Sequence, residues 1–246
     1  WNVLNYRFEY YKAIIPLMLE SIGVKLTNLE IVKGSNFQLG KDYMLDVMKM
    51  SSYASINDCK RAASEVVKFG DNPKLSGLIY PIMQALDEEY LEVDIQFGGT
   101  DQRKILMFAR ETLPKLNYKA RVEIMNPMIP GLTGTKMSAS DPKSKIDLLD
   151  EREEIVKKMK AAFCPAGKVE ENGVLAFTKY VLFTIKQDKK EPFVIKRPEK
   201  FGGNLNYKTY KELEKDFVAG KLHPLDLKNA VAEEVNLILE PIRKKF

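Results

Sequence analysis

Leu91-Glu92-Val93-Asp94-Ile95-Gln96-Phe97-Gly98-Gly99-Thr100-Asp101-Gln102-Arg103-Lys104 is the stretch that decides the fold. Apolar and polar residues alternate from Leu91 to Phe97 with the period of a half-buried strand. The glycine pair breaks that pattern, and a helical one follows from Asp101 to about Leu113. A second strand-like run at 121–126 supplies the return of a βαβ unit, so an α/β fold with a parallel sheet is expected. In such a turn, backbone N–H groups and the positive helix end approach an anion, and Asp101 at its edge suits ribose hydroxyls. A plain strand-to-helix connection would use the same glycines.

Upstream lies Ser76-Gly77-Leu78-Ile79-Tyr80-Pro81-Ile82-Met83-Gln84-Ala85-Leu86-Asp87. Tyr80, Gln84 and Asp87 stand at i, i+4 and i+7, which puts all three on one face of a helix. Apolar Ile79, Ile82, Met83 and Leu86 fill the other positions, so the helix reads as largely buried and its polar stripe needs partners. A phenol, an amide and a carboxylate in line fit a small zwitterion bearing a hydroxyl. They fit equally a solvated edge that Glu88 and Glu89 continue. Downstream, Gly131-Leu132-Thr133-Gly134-Thr135-Lys136-Met137-Ser138-Ala139-Ser140 places a cation and hydroxyls on a glycine-bordered loop. A mobile ammonium suits the negative charge that develops in phosphoryl or adenylyl transfer.

Taken together, Tyr80-x-x-x-Gln84-x-x-Asp87, Gly98 to Lys104, and Met128-Ile129-Pro130-Gly131 running into Lys136-Met137-Ser138-Ala139-Ser140 closely resemble tyrosyl-tRNA synthetases of the archaeal and eukaryotic type. The likeness extends through Phe163-Cys164-Pro165-Ala166-Gly167, 195–203 and 223–228. It implies a Rossmann-like nucleotide-binding catalytic domain, partial here, over 1–147, followed by an all-α anticodon-binding domain over 148–246. It also implies a tyrosine-tRNA ligase that forms tyrosyl-adenylate from tyrosine and ATP. Asp87 would accept from the substrate phenol, while Gln38, Tyr80, Gln84 and Gln102 would orient its amino and carboxyl groups. Gly98, Gly99 and Asp101 would take the adenosine ribose. Lys136, Ser138 and Ser140 would steady the pyrophosphate, with Ala139 where the family commonly has a serine. Phe201 would stack on the first anticodon base and Asp226 accept from a guanine edge. Arg103 would meet the acceptor end of tRNA(Tyr). The helical stretch 41–69 resembles the insertion that pairs two subunits, so a homodimer is expected.

The histidine-containing nucleotide motif of such enzymes has no counterpart here, since the one histidine is His223. The natural protein is therefore expected to extend upstream of Trp1. Two rival readings stand: a noncatalytic tRNA-binding fragment, and a tryptophanyl-tRNA synthetase, which Asp87 disfavours because a phenol acceptor suits an indole poorly. A P-loop kinase is disfavoured because Gly134-Thr135-Lys136 lacks the Walker spacing.

Composition narrows the classes further. No run approaches the ~18 apolar residues of a membrane helix, so a cytoplasmic enzyme with no membrane partner is expected. Cys59 and Cys164 fit no metal spacing and read as two reduced thiols. No protein-ligated metal is expected; Mg2+ would arrive with ATP, held by phosphates and water. The net charge of +5 is mild, but Lys157, Lys158, Lys160, Lys186, Lys189, Lys190, Lys196, Arg197, Lys200, Arg243, Lys244 and Lys245 concentrate it at the C-terminal end. Such cations could follow an RNA backbone, and equally be solvated helix faces. Remaining expectations are helices over 7–22, two within 41–69, 151–162, 173–185, 207–219 and 226–240, strands over 29–35 and 91–97, an N-cap at Asp226, and a local structural His223.

Overall fold

In the computed structural model, helices form where the apolar spacing demands them. The described residues are 1–134, 137–138 and 141–246. In chain order the principal elements are α1 (Asn2–Ser21), α2 (Lys41–Tyr53), α3 (Ile56–Ala63), α4 (Leu75–Tyr90), β1 (Ile95–Gly99), α5 (Arg103–Thr112) and β2 (Val122–Asn126). They continue with α6 (Arg152–Ala161), α7 (Gly173–Phe177), α8 (Phe183–Asp188), β3 (Phe193–Ile195), β4 (Leu205–Tyr207), α9 (Tyr210–Val218) and α10 (Pro224–Lys245). Two compact units result: residues 31–128, and residues 1–30 with 129–246.

In the first unit β1 and β2 pair in parallel, Ile95 opposite Val122 through Gly99 opposite Asn126, with α5 as the crossover. This is the βαβ unit the glycine turn indicated. Helices α2 to α5 close over a core that includes Tyr43, Val47, Met50, Leu86, Ile105 and Leu113. Ile95, Phe97, Val122 and Ile124 alternate onto the sheet's other face and stay exposed. The strand begins four residues later than the alternation suggests, because α4 runs to Tyr90 and Glu92 takes a left-handed φ of 51° before the chain extends. The strand expected over 29–35 does not form. Gly34–Asn36 is a 3-10 turn, and 29–33 has no ladder partner among the described residues, without which a short apolar run remains coil.

The second unit is built on α10, which packs against α1 and α6; Lys245 and Glu20 form an ion pair of 2.9 Å. Phe193, Phe217, Leu175, Ile155, Leu227 and Val231 lie in its core. The expectation of an all-α C-terminal region is corrected by the antiparallel ribbon of β3 and β4, where Phe193 pairs with Tyr207 and Ile195 with Leu205. Phe193-Val194-Ile195 is too short to display a period, so only its partner identifies it as a strand. The anticipated division at residue 147 does not coincide with the boundary between compact units, because α1 and 129–147 pack with the C-terminal helices.

Candidate functional site

Helix α4 carries Tyr80, Gln84 and Asp87 along one side, as the spacing required. Asp87 is half-buried and receives two donors. Gln38 Nε2 approaches its carboxyl oxygens at 2.9 and 3.2 Å, and the Tyr43 hydroxyl lies 2.8 Å from Oδ1. Burial pushes the Asp87 carboxyl above its usual range, while the Gln38 and Tyr43 hydrogen bonds pull it back. Gln84 donates to Gln102 Oε1 at 3.2 Å, so the helix stripe joins the turn after β1. Tyr80, at 43% exposure, sits at the open end of the stripe. Gly34 leaves room for Gln38: a Cβ there would lie 2.8 Å from its Oε1.

Tyr43 is the residue that sequence reasoning missed. Its phenol is completely buried, beside Phe37 and Tyr90, with ring centroids at 5.7 and 4.8 Å. With Val47 and Met50 it occupies i, i+4 and i+7 of α2, a spacing that reads simply as core. The partner of its hydroxyl lies 44 positions away in sequence, beyond any periodicity. Tyr90 and Tyr118 both donate to Asp46, as does Lys49 at 2.7 Å. Burial pushes Asp46 up, but these three donors outweigh it and leave its carboxyl below the ordinary range.

The turn after β1 is tight for lack of space. A Cβ on Gly99 would stand 2.6 Å from Asp101 Oδ1 and 3.2 Å from Met128 Sδ, and one on Gly98 would stand 3.2 Å from Gln102 Cβ. These two glycines therefore let Asp101 and Gln102 fold back over the strand end. Arg103 opens α5 with its side chain exposed, in a shallow groove shared with Asp58, Arg61 and Lys104.

In the other unit, Ser144 clamps the segment that contains Ser138. Its hydroxyl accepts from Ser138 N–H at 3.0 Å and lies 3.2 and 2.8 Å from the carbonyls of Ser138 and Asp141. Gly131 and Gly173 meet backbone to backbone: a Cβ on Gly173 would lie 2.3 Å from Gly131 O. Lys136, Ala139 and Ser140 lie outside the described residues.

Phe201 is 59% exposed at the end of a 3-10 turn, with Lys200 Nζ 5.0 Å from its ring centre. Gly202 and Gly203 follow at φ of +94° and +70°, a conformation only glycine adopts without strain. The N-cap of α10 is His223, whose Nδ1 accepts from Leu225 N–H, and not Asp226, which sits in the first helical turn. The Pro224 ring at the first position sets the cap one turn earlier. Several expected RNA-tracking cations have local partners: Lys158 with Asp150, Lys186 with Glu234, Arg243 with Glu151 and Lys244 with Glu240. The first three pairs tie one segment to another, and only Lys244–Glu240 lies along a single helix face. Cys59 and Cys164 are buried thiols, and burial raises both. Among the described residues no helix is long and apolar enough to cross a membrane, and no three His, Cys, Asp or Glu side chains cluster as metal ligands would.

Comparison with known proteins matches residues 1–240 to the family described as tRNA synthetases class I (W and Y). The chain is 54% identical over 246 residues to the cytoplasmic tyrosine--tRNA ligase of Gallus gallus, covering all of this chain and 46% of that protein. With the tyrosine--tRNA ligase of Haloarcula marismortui identity is 42%, over 71% of that protein. A solved tyrosyl-tRNA synthetase from Archaeoglobus fulgidus, complexed with L-tyrosine, superimposes with a TM-score of 0.85 at 42% identity, covering 94% of this chain and 71% of that one. The chain thus spans about half the length of the animal relative it resembles.

Proposed function

The chain belongs to the tyrosyl-tRNA synthetase family of class I tRNA synthetases, and on that premise we propose that the protein is a tyrosine-tRNA ligase. In the first step a tyrosine carboxylate oxygen attacks the α-phosphorus of ATP and the bond to pyrophosphate breaks, giving tyrosyl-adenylate. In the second a terminal hydroxyl of tRNA(Tyr) attacks the activated carbonyl and AMP leaves. No covalent enzyme intermediate is needed, because positioning and charge stabilisation supply most of the acceleration.

The observation that carries this reading is the Asp87 carboxyl, oriented by Gln38 and Tyr43 on a helix whose Gln84 meets Gln102. Asp87 accepts from the substrate phenol. Gln38 donates its amide to that carboxyl and holds Asp87 in place, so it serves the phenol end and not the amino and carboxyl end expected for it. Tyr80, Gln84 and Gln102 orient the substrate's amino and carboxyl groups. Gly98, Gly99 and Asp101 receive the ribose. Lys136, Ser138 and Ser140 act on the departing pyrophosphate, and Mg2+ enters on the ATP phosphates. The test is tyrosine-dependent ATP–pyrophosphate exchange by the intact protein, with phenylalanine and tryptophan as competitors. Exchange equally dependent on tryptophan would overturn the assignment.

Gly99→Ala forces Asp101 out of the space its carboxylate now fills. The expected result is a roughly tenfold higher KM for ATP, about the loss of one hydrogen bond, with the KM for tyrosine unchanged. Steady-state exchange at varied ATP and varied tyrosine separates the two.

In the anticodon-facing role proposed for the second unit, Phe201 stacks on an unpaired base and Asp226 accepts from its edge. Phe201→Ala should weaken tRNA charging by roughly 1–3 kcal/mol, the usual worth of a stacked base, and leave adenylate formation intact. Equal loss in both assays would remove the stacking role. Arg103 meets the acceptor end. A homodimer formed through α2 and α3 fits the exposure of Met44, Leu45, Met48 and Ile56, and a cytoplasmic location fits the relatives' names.

A further inference from the structure

We propose that Tyr43 is a specificity-determining positioning residue, whose buried hydroxyl holds the Asp87 carboxylate as an acceptor for the substrate phenol. The inference rests on the reading of Asp87 given above. Tyr43 is reached by no solvent and so by no substrate, yet its oxygen lies 2.7 Å from the Met83 carbonyl and 2.8 Å from Asp87 Oδ1. Both are acceptors, and a phenol has one hydrogen, so the two share it. That hydrogen ties the carboxyl to the backbone of its own helix one turn back. The hydroxyl cannot turn away, because its ring is wedged between Phe37 and Tyr90.

Acceptor character is what discriminates tyrosine from phenylalanine, and it requires the carboxylate form. Burial works against that form, and the Tyr43 and Gln38 hydrogen bonds work for it. The other titratable groups around Asp87 are Glu88 on the same helix, with Glu123 of β2 beyond it, and Tyr90 against the Tyr43 ring. Glu88 is pushed up to about 8, burial raises Glu123, and both phenols are raised.

Tyr43→Phe keeps the ring and deletes the hydroxyl. In ATP–pyrophosphate exchange by the intact protein, the ratio of kcat/KM for tyrosine to that for phenylalanine should fall about tenfold, or about 1.4 kcal/mol. The loss should appear in the KM for tyrosine, with kcat nearly unchanged. The acid limb of the kcat/KM profile should move to higher pH, because the carboxyl loses a donor to its ionised form. Tyr90→Phe removes a neighbouring half-buried hydroxyl that serves Asp46 instead, and should leave both the ratio and the acid limb in place. An unchanged ratio in Tyr43→Phe, or an equal fall in the two variants, overturns the proposal. Asp87→Ala run alongside separates the levels. If it collapses the ratio while Tyr43→Phe does not, only the Tyr43 inference fails; if it leaves the ratio intact, the Asp87 reading fails and the inference with it.

Discussion

Asp87→Ala in the intact protein is expected to abolish tyrosine-dependent ATP–pyrophosphate exchange at ordinary tyrosine concentrations and to erase discrimination against phenylalanine. The reason is desolvation. A half-buried carboxylate held by Gln38 and Tyr43 gains a third partner from a phenol, whereas phenylalanine would cover it and offer nothing. Sites built to bind a substrate hydroxyl reject the analogue lacking it by about 10⁴ to 10⁵; tyrosyl-tRNA synthetase is itself the standard illustration, so that figure is carried over and not obtained from this geometry. The measurement is kcat/KM for both amino acids. Unchanged exchange with unchanged discrimination would refute the assignment of Asp87. A uniform loss for both substrates would assign it to helix packing instead.

Glu88→Gln is expected to stabilise the protein above pH 5 by an amount that grows with pH. Glu88 is 2% exposed, and neither carboxyl oxygen has a hydrogen-bond partner among the described residues. Arg121 is near, but it spends its donors on Glu89 at 2.7 Å and on the carbonyls of Val93 and Lys119. Burial first, and the like charge of Glu123 second, push the Glu88 carboxyl up to about 8, against 4.5 in the unfolded chain. Between those values the folded protein binds one proton more than the unfolded chain. Stability is therefore full below pH 4.5, falls by about 1.4 kcal/mol per unit as pH rises, and levels off above pH 8. Glutamine keeps the shape without the titration, so the slope should flatten. Urea midpoints at pH 5, 6, 7 and 8 test this; parallel curves for the two proteins would show that Glu88 is ionised in the folded state.

The two residues differ in how far each could be foreseen. Asp87 is visible because a helix repeats every 3.6 residues, so Tyr80, Gln84 and Asp87 announce a common face in one dimension. The βαβ turn is visible for the same kind of reason: glycines at 98 and 99 interrupt a period of two before a period of 3.6 begins. Glu88 reads from its spacing as the solvated continuation of that face. It is buried instead because β2 brings Glu123 and the nearby Arg121 onto the side of α4 that faces the sheet.

Local periodicity and turn chemistry thus determined most helices, the parallel βαβ unit and the polar stripe of α4, since each depends on neighbours within a few residues. Pairing and burial belonged to the tertiary structure alone. Residues 29–33 are rich in strand-favouring apolar residues yet form no strand, 193–195 form one without a visible period, Tyr43 reaches Asp87 across 44 positions, and the N-terminal helix packs with the C-terminal one. A strand exists only beside another strand, and a hydrogen bond or a desolvated carboxyl is defined by what stands next to it in space. Residue spacing along the chain carries no record of either.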